Sequence, residues 1–417
     1  MNKSIICRRV LTTLCSLVWL VAAGPANADW PSWRGAAGGV ATDHRWPDDF
    51  DPQRPIWTFD TKATDEGSVA IRDDSAFVLT SAQGEISLCC LDVKSGQPRW
   101  RKTWNQKPPK LHSRNSPAST TPVVDGKGVV IAFAETEHTT MIAVDHDGNE
   151  VWNRDFGPWL SQHGFGSSPV IDGDRVYLHV SRQADRLPEG VPPSTSFMVA
   201  VDRTTGEDLW QCPLTPTRTC YAAPAPISVG GRTFVVAINT GDGVVLIDRE
   251  SGKIEHRLPV IESRVCGSPI VADQRIYATF GGGSKGNLIC VDANPDGLAL
   301  QFTTRKSAPY VPTPVLHQDR LYVIADTGIA SCLDAETGAP LWSGRVGGKF
   351  GASPVLIGDR LFVVSLDGQA SLLSTDAFKV ISSFDFGGPV QATPAMADGR
   401  MFVRVGAEVR CYDLPRP

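Results

Sequence analysis

A short block of sequence recurs eight times along this chain of 417 residues, and that repeat limits the possible folds more than any other feature. One copy runs from Ser353 to Val364 as a strand, the tight turn Gly358-Asp359 and a second strand, and Asp367-Gly368 then turns the chain into a third strand. A unit that cannot bury its own faces needs its neighbours, so the recurrence predicts a stacked repeat fold. The other seven copies open at Ser68-Val69, Thr121-Pro122, Ser168-Pro169, Ala225-Pro226, Ser268-Pro269, Thr313-Pro314 and Thr393-Pro394.

Each copy leads to a second motif, an Asp-x-x-Thr/Ser-Gly turn followed by a Trp. In such a turn Asp bonds the local backbone, Gly takes the left-handed conformation, and the indole covers the neighbouring sheet. The weaker copies place His256, Leu300 and Phe384 at the Trp position. The four clear copies have the structural pairs Asp92 and Trp100, Asp145 and Trp152, Asp202 and Trp210, and Asp334 and Trp342.

Four short strands in a repeat of roughly 40 to 57 residues are typical of propeller blades. The last unit, residues 393 to 413, has three strands, and Pro55 to Phe59 resembles an outermost strand without the preceding three. Pairing the two would leave no open sheet edge. The prediction is therefore an all-β, eight-bladed β-propeller of four-stranded antiparallel blades, its last blade closed by an N-terminal strand.

The N-terminus has the form of a secretory signal. Lys3, Arg8 and Arg9 precede an apolar stretch, and Ala26-Asn27-Ala28 predicts cleavage after Ala28. We expect a signal peptide over 1–28, an extension over 29–54 and the propeller over 55–417. Trp30, Trp33 and Trp46 of the extension either cover part of the face with the variable loops or pad the outside of a blade, and padding is the expectation. No later run reaches about 18 apolar residues, so no transmembrane segment is expected. The predicted location is the periplasm or the exterior.

The charge of the chain argues against a nucleic-acid partner. Removing residues 1–28 takes three of the 40 Lys and Arg residues and none of the 45 Asp and Glu residues, so acidic residues are in excess by eight. Nucleic-acid affinity depends largely on neutralising phosphates, which an acidic chain does poorly. We therefore expect a protein or polymer of the cell envelope as the partner, and no nucleic acid.

The Ala-x-Asp-x-x-Thr-Gly-x-x-x-Trp unit, as in Ala200 to Trp210, resembles the repeat of the pyrroloquinoline-quinone-like (PQQ-like) propellers. That family includes the quinoprotein alcohol dehydrogenases and the outer-membrane assembly lipoprotein BamB, and the resemblance covers about residues 55–413. For the dehydrogenases it implies a quinone held with calcium, polar ligands from several blades, an aspartate base and often a disulfide between adjacent cysteines. Because the motif residues serve blade packing, the resemblance predicts fold more than function.

Cys89-Cys90 fits the dehydrogenase pattern, but its position in the repeat favours packing. Cys90 occupies the site where other copies have small or apolar residues such as Ala143 and Ala200, and a free Cys packs as a small hydrophobe. Asp145 to Glu150 resembles part of a calcium loop yet falls on an ordinary turn, and Gly281 to Gly286 lacks the helix of a phosphate loop. No Cys-x-x-Cys-His haem motif is present. No cofactor is expected, and whether Cys212 and Cys220 pair stays open.

Loop lengths indicate where a site would lie. One end of every blade has short, uniform turns, whereas the connections at the other end vary, and binding residues concentrate on variable loops. Two insertions, residues 101–115 and 181–195, lie at that end beside residues 156–165. The basic and aromatic first insertion fits an anionic ligand, a sugar or a protein, or else it lies against the acidic body. The candidate residues on this loop face are Trp104, Lys107, Lys110, His112, Arg114, Trp159, His163, Tyr221, Arg264, Tyr310 and Lys349.

Residues just before each innermost strand should surround the mouth of a central channel. They are chemically mixed, which suits either a shaped funnel or a filled, inert channel. Three more of them join the candidates already named: Glu66, Phe350 and Gln391.

Three functions are compatible with this pattern. The first is a non-catalytic scaffold that binds a protein or polymer through the loop face, as BamB does. It fits a chain whose blade motifs are complete and whose candidate residues include no converging group of catalytic side chains. A PQQ- and calcium-dependent alcohol or sugar dehydrogenase is the alternative that the resemblance implies. Polysaccharide binding or cleavage is a third, resting on Trp104, Trp159 and the basic loop.

Overall fold

The chain folds into a closed ring of eight four-stranded antiparallel sheets, an eight-bladed β-propeller, which confirms the predicted fold class. The computed structural model describes residues 29–416 except 109, 110, 162, 186, 188, 191–193, 216 and 284, and the predicted signal peptide lies outside that range. Within these residues all regular secondary structure is strand.

The first four blades follow one another along the chain. Their strands are β3 (Ala70–Arg72), β4 (Ser75–Ala82), β5 (Glu85–Asp92) and β6 (Pro98–Asn105); β7 (Val123–Asp125), β8 (Gly128–Ala134), β9 (Thr139–Val144) and β10 (Glu150–Asp155); β11 (Val170–Asp172), β12 (Arg175–Val180), β13 (Ser196–Asp202) and β14 (Asp208–Leu214); and β15 (Ala225–Val229), β16 (Arg232–Asn239), β17 (Gly243–Asp248) and β18 (Ile254–Leu258).

The next three blades continue in the same order, from an innermost to an outermost strand. Their strands are β19 (Ile270–Ala272), β20 (Arg275–Gly282), β21 (Lys285–Asn294) and β22 (Gly297–Thr304); β23 (Val315–His317), β24 (Arg320–Ile324), β25 (Ile329–Asp334) and β26 (Pro340–Arg345); and β27 (Val355–Ile357), β28 (Arg360–Val364), β29 (Gln369–Ser374) and β30 (Val380–Asp385).

The eighth blade joins the two ends of the chain, as predicted. Its inner strands are β31 (Ala395–Ala397), β32 (Arg400–Val405) and β33 (Glu408–Asp413), and the outermost strand is β2 (Trp57–Asp60). Trp57 of β2 lies opposite Cys411 of β33, so the N-terminal strand completes the antiparallel ladder. Closure pairs an edge that would otherwise be open to other chains.

In five blades an aromatic ring of the outermost strand packs on a turn glycine of the next blade. The Trp100 indole donates to the carbonyl of His146 at 2.7 Å, and a side chain at Gly148 would collide with the same ring. The Asp of each turn accepts from the turn backbone, as when Asp92 Oδ1 accepts from Ser95 N at 2.8 Å. The other indoles make matching contacts: Trp57 with Val93 and Gly96, Trp152 with Arg203 and Gly206, and Trp210 with Arg249 and Gly252. Trp342 donates to Thr375.

Two of the predicted docking positions in weaker blades are wrong. In the fifth blade Phe302, not Leu300, lies opposite Cys290 and packs on Gly338, whereas Leu300 is exposed. In the seventh blade the corresponding position is Ser382, two residues before Phe384. The hairpin of the fifth blade is longer, because the strands continue to pair beyond Asp292 as far as Asn294 and Gly297. In the seventh blade Ser374 takes the place of the turn Asp, and its N–H donates to Lys379 O as that of Asp334 donates to Ala339 O. Period-two alternation conceals a shift of two residues.

The extension crosses the end of the central channel that faces away from the variable loops. Trp30 pairs with Ile71 on the first blade, and Val124 N on the second donates to Pro31 O at 2.8 Å. The buried guanidinium of Arg34 donates to the carbonyl of Pro314, at the start of the sixth blade. The strand β1 (Val40–Ala41) then adds in parallel to β27. Residues 30–41 therefore span the ring from the first blade to the seventh.

The rest of the extension fills the gap between the last two blades. Trp46 stacks on Phe362 and Phe384 of the seventh blade, both with ring centroids 5.5 Å away. Phe50 contacts Phe384 and, at 5.2 Å, Tyr412 of the eighth blade. The expectation of outer padding is thus met by Trp46, whereas Trp30 and Trp33 lie at the channel.

Candidate functional site

A funnel opens on the loop face and has a cavity of about 420 Å³. The extension lies across the far end of the channel, and Trp33 from that segment lines the cavity. The funnel is therefore blind, with Trp33 as its floor. Its mouth is lined by Glu66, His112, Arg114, His163, Tyr221, Arg264, Tyr310 and Gln391.

The wall of the funnel is a ring of hydroxyl groups, because the residue that opens each blade is usually Ser or Thr. These hydroxyls accept hydrogen bonds from the backbone N–H of the preceding blade, as in Thr121 N to Ser168 Oγ at 3.0 Å and Ser353 N to Thr393 Oγ1 at 3.0 Å. Among the described residues no acceptor is found for their own O–H groups, which are left to donate. The hydroxyls that line the cavity are Thr121, Ser168, Ser268, Ser353 and Thr393.

Arg264 lies in this lining between two tyrosines. Its backbone carbonyl accepts from Gly281 N at 2.9 Å, which holds the connection to the fifth blade in place. Its Nε is buried and has no hydrogen-bond partner among the described residues. Burial opposes the charged form, but Tyr221 and Tyr310 nearby raise the pKa of Arg264 above its ordinary value. The guanidinium is thus charged and incompletely bonded.

Two histidines meet at one side of the mouth. The His112 and His163 rings lie edge to face with centroids 4.9 Å apart, and Asn115 Nδ2 donates to His163 O at 2.5 Å. Desolvation, with the charges of Arg264 and His112, lowers the pKa of His163 to about 4. His163 is therefore neutral at pH 7, with one ring nitrogen to donate and one to accept.

Two carboxylates lie near the funnel, and both are desolvated. Ser119 Oγ donates to Glu66 Oε2 at 3.2 Å, yet burial raises the pKa of Glu66. Burial also raises the pKa of Asp326, whose Oδ2 accepts from the backbone N–H of Tyr310 at 2.7 Å. Glu66 lines the cavity itself, whereas Asp326 braces the Tyr310 segment behind it.

Several predicted candidates lie outside the funnel. Trp104 is on the outermost strand β6 rather than on a loop, and its indole donates to Glu150 at 3.0 Å. Trp159 is only 3% exposed and packs edge-on against Phe165, so it cannot contact a ligand as predicted. Lys107 and Lys349 are exposed but do not line the cavity. Lys110 lies outside the described residues, and Phe350 is buried between blades.

Trp33 and the hydroxyl ring were not predicted from the sequence as parts of the site. The Ser-Pro and Thr-Pro pairs were visible in the sequence as the starts of strands. The sequence does not indicate that their hydroxyl groups would be left without an acceptor. One pair was also misplaced: in the fourth blade Ala223-Pro224, not Ala225-Pro226, corresponds to the others, because Ala223 N donates to Ser268 Oγ at 2.9 Å. The fourth blade therefore has the methyl group of Ala223, in place of a hydroxyl, at this position of the ring.

The cysteines lie away from the funnel mouth, apart from Cys266 in its wall. Cys89 and Cys90 point to opposite faces of β5, the first into a cluster with the eighth blade and the second into one with the second blade. Cys212 and Cys220 are both free thiols and belong to different clusters. In the described part of the chain, no helix has the length and apolar character needed to cross a membrane.

The comparisons with known proteins agree with this architecture. The family model described as outer membrane protein assembly factor BamB matches residues 49–191, 194–299 and 284–380, well over half the chain. No curated protein matches.

Three solved structures illustrate the likeness. BamB from Moraxella catarrhalis is 17% identical, with 86% of this chain and 97% of that chain covered and a TM-score of 0.58. Sqt1 from Saccharomyces cerevisiae is 11% identical, with 86% and 98% covered and a TM-score of 0.62. Quinohemoprotein alcohol dehydrogenase from Comamonas testosteroni is 14% identical, with 92% and 80% covered and a TM-score of 0.47. At such identities the BamB and Sqt1 structures show the fold alone. The family model, however, matches most blades, so the chain belongs to the PQQ-like propeller family described as outer membrane protein assembly factor BamB.

Proposed function

We propose that the protein is a non-catalytic binding propeller of the cell envelope, which holds a protein or polymer partner on its loop face. One observation carries the proposal: the two ends of the ring differ. The loop face has the variable connections and an open funnel lined with hydrogen-bond donors, whereas the opposite end has short turns and is crossed by residues 30–41. Variable loops on a rigid scaffold are where binding residues concentrate.

The periplasm or the exterior is the compartment we propose. The leader-like residues 1–28 and the family description, which refers to the outer membrane, support this location. Partners of the envelope then follow from the compartment.

The funnel residues do not fit a quinone held with calcium. Calcium takes six to eight oxygen ligands, usually several of them carboxylates. Among the described residues that line the cavity, Glu66 is the only carboxylate, and its side chain is hydrogen-bonded to Ser116 and Ser119 of the connection between β6 and β7. Cys89 and Cys90 lie on opposite faces of a buried strand, far from the arrangement of a disulfide beside a cofactor. We therefore derive no redox step.

Site-specific photo-crosslinking tests the proposed binding face. A benzoylphenylalanine replaces Lys349, which is exposed on the loop face, or Lys253, which is exposed on a turn at the opposite end. Exported protein carrying either probe is irradiated in intact cells. We expect adducts from position 349 that an excess of unlabelled protein removes, and none from position 253.

Equal labelling from both positions, or none from either, would contradict the proposal. A dehydrogenase test accompanies it: the purified protein is given pyrroloquinoline quinone and calcium, and dye reduction with alcohols and sugars is recorded. Quinone-dependent reduction would replace the scaffold with the enzyme as the function.

A further inference from the structure

The described arginines of the funnel form no salt bridge, unlike most arginines of this protein, although the charge of Arg114 acts on Asp326 at longer range. Among the described residues, neither Arg264 nor Arg114 has a carboxylate within the 4.0 Å of a salt bridge, although both line the same cavity. By contrast Arg203, Arg249 and Arg404 are all paired with Asp. A desolvated guanidinium with a free Nε is costly unless an anion completes its bonding.

The remaining lining supplies many donors and few acceptors. Five blade hydroxyls have O–H groups free to donate into the cavity, and the Tyr221 and Tyr310 hydroxyls lie beside Arg264. Each blade hydroxyl oxygen already accepts one backbone N–H, which leaves it one lone pair. The other side-chain acceptors are Glu66, the amides of Asn115 and Gln391 and one nitrogen of His163. Such a surface suits a ligand that has a negative charge, several acceptor oxygens and a few hydroxyls of its own.

The shape of the cavity limits the ligand further. Trp33 at the floor and the two tyrosines at the side offer flat apolar faces, on which the C–H faces of a sugar ring can pack. A volume of about 420 Å³ accommodates one or two sugar units rather than a folded domain. A carboxylate matches an arginine fork in two parallel bonds, and a uronic acid is a sugar unit that has a carboxylate.

We propose that the funnel binds a uronic-acid unit of an acidic saccharide, with the carboxylate on Arg264 and the ring hydroxyls on Glu66, His163 and the blade hydroxyls. The inference rests on the proposed function, because it names the chemical class of the polymer partner. An extended peptide, which would place its C-terminal carboxylate on Arg264, is less well matched, since its amide N–H groups need acceptors that the lining largely lacks.

Calorimetric titration tests the inference with defined probes. The probes are four-unit oligosaccharides of galacturonate, glucuronate, mannuronate and guluronate, each beside the same compound with its carboxyl groups reduced to alcohols. We expect at least one acidic probe to bind the wild-type protein and its reduced form to bind at least about tenfold more weakly, because charge-assisted hydrogen bonds are lost.

Two matched variants assign that binding to the funnel. Arg264→Gln should weaken the acidic probe about tenfold or more. Arg305→Gln should change it less than about twofold, because Arg305 is exposed on the same face but lies outside the cavity. Circular dichroism and the melting temperature confirm that both variants fold.

The inference is wrong if no acidic probe binds, if the reduced forms bind equally well, or if Arg264→Gln has no effect. It is also wrong if a peptide carboxylate or pyrroloquinoline quinone with calcium binds through Arg264 in place of the saccharides. If the loop face still gives crosslinks but no saccharide binds, the proposed function stands and only the proposed ligand class is wrong.

Discussion

The guanidinium of Arg404 donates to Asp65 Oδ2 at 2.8 Å, and both side chains are almost completely buried. Arg404 is on β32 of the last blade, and Asp65 lies between the closing strand and the first blade. The same guanidinium donates to Leu79 O at 2.9 Å. One buried ion pair therefore links the end of the chain to its beginning at the point of ring closure.

Replacing Arg404 should weaken the closure strongly. Arg404→Met leaves the Asp65 carboxylate buried without its partner, which costs about 3 to 5 kcal/mol, whereas an Asp65→Leu/Arg404→Met pair should recover part of that loss. Urea unfolding measures both. Arg45→Met is the control, because Arg45 is 69% exposed and its ion pair contributes little. A single variant as stable as the control would contradict the role of the pair.

A turn glycine under a docked indole should tolerate no side chain. Gly252 has a φ of +67°, and a Cβ there would lie 2.5 Å from Trp210 Cγ. Gly252→Ala should therefore lower the free energy of unfolding by about 1 to 3 kcal/mol more than backbone strain alone would, because the indole must move. Gly231→Ala is matched to it, with a φ of +77° but nothing within 4 Å. Thermal unfolding compares the two, and equal losses would show that docking on Gly252 is unimportant.

His179 should make the protein sensitive to acid. Burial lowers the pKa of His179 to about 4, below its ordinary value of about 6.5. Between these values the unfolded chain binds a proton that the folded chain does not. The contribution of neutral His179 is thus complete above pH 6.5 and is lost as the pH falls towards 4.

The His179→Leu variant isolates this effect from the titration of carboxylates. From pH 7.5 to 4.5 the wild-type protein should lose about 2 to 3 kcal/mol more than the variant, as urea unfolding at each pH would measure. Stability profiles that stay parallel over this range would rule out His179 as the source.

Arg34 should hold the extension across the channel. Its side chain is 4% exposed, it donates to Pro314 O, and desolvation lowers the pKa of Arg34 to about 9. Arg34→Ala should make residues 30–41 at least about tenfold more sensitive to a protease, because a buried hydrogen bond to a charged group is lost. Limited proteolysis with mass spectrometry measures the cleavage. Arg45→Ala, in the exposed part of the extension, should leave the rate unchanged; an equal effect of both would contradict the role of Arg34.

The blades were predictable because their chemistry is local. A turn such as Asp202 to Gly206 contains its own hydrogen bonds, and Trp210 follows at a fixed spacing, so one copy reveals the others. The closing strand was predictable from counting, since a last unit of three strands needs a fourth.

The site was predictable only in part, because it depends on contacts between distant segments. The positions of His163, Tyr221, Arg264 and Tyr310 around the mouth follow from strand order. The burial of Trp159 depends on Phe165 folding beneath the loop, and the place of Trp33 depends on the extension crossing the ring, which no repeat describes. The displacement of the fourth-blade start to Ala223 was hidden because Ala-Pro occurs twice, two residues apart.

The segment from Trp30 to Ala41 also decides how a long molecule could use the funnel. With the far end of the channel covered, whatever enters must leave by the same mouth. A polymer therefore cannot be threaded through the ring or slide along it. The funnel can take such a chain only by a terminus or by a short side branch. The number of chain ends and branches, rather than the total length of polymer, therefore sets how many units can enter a funnel.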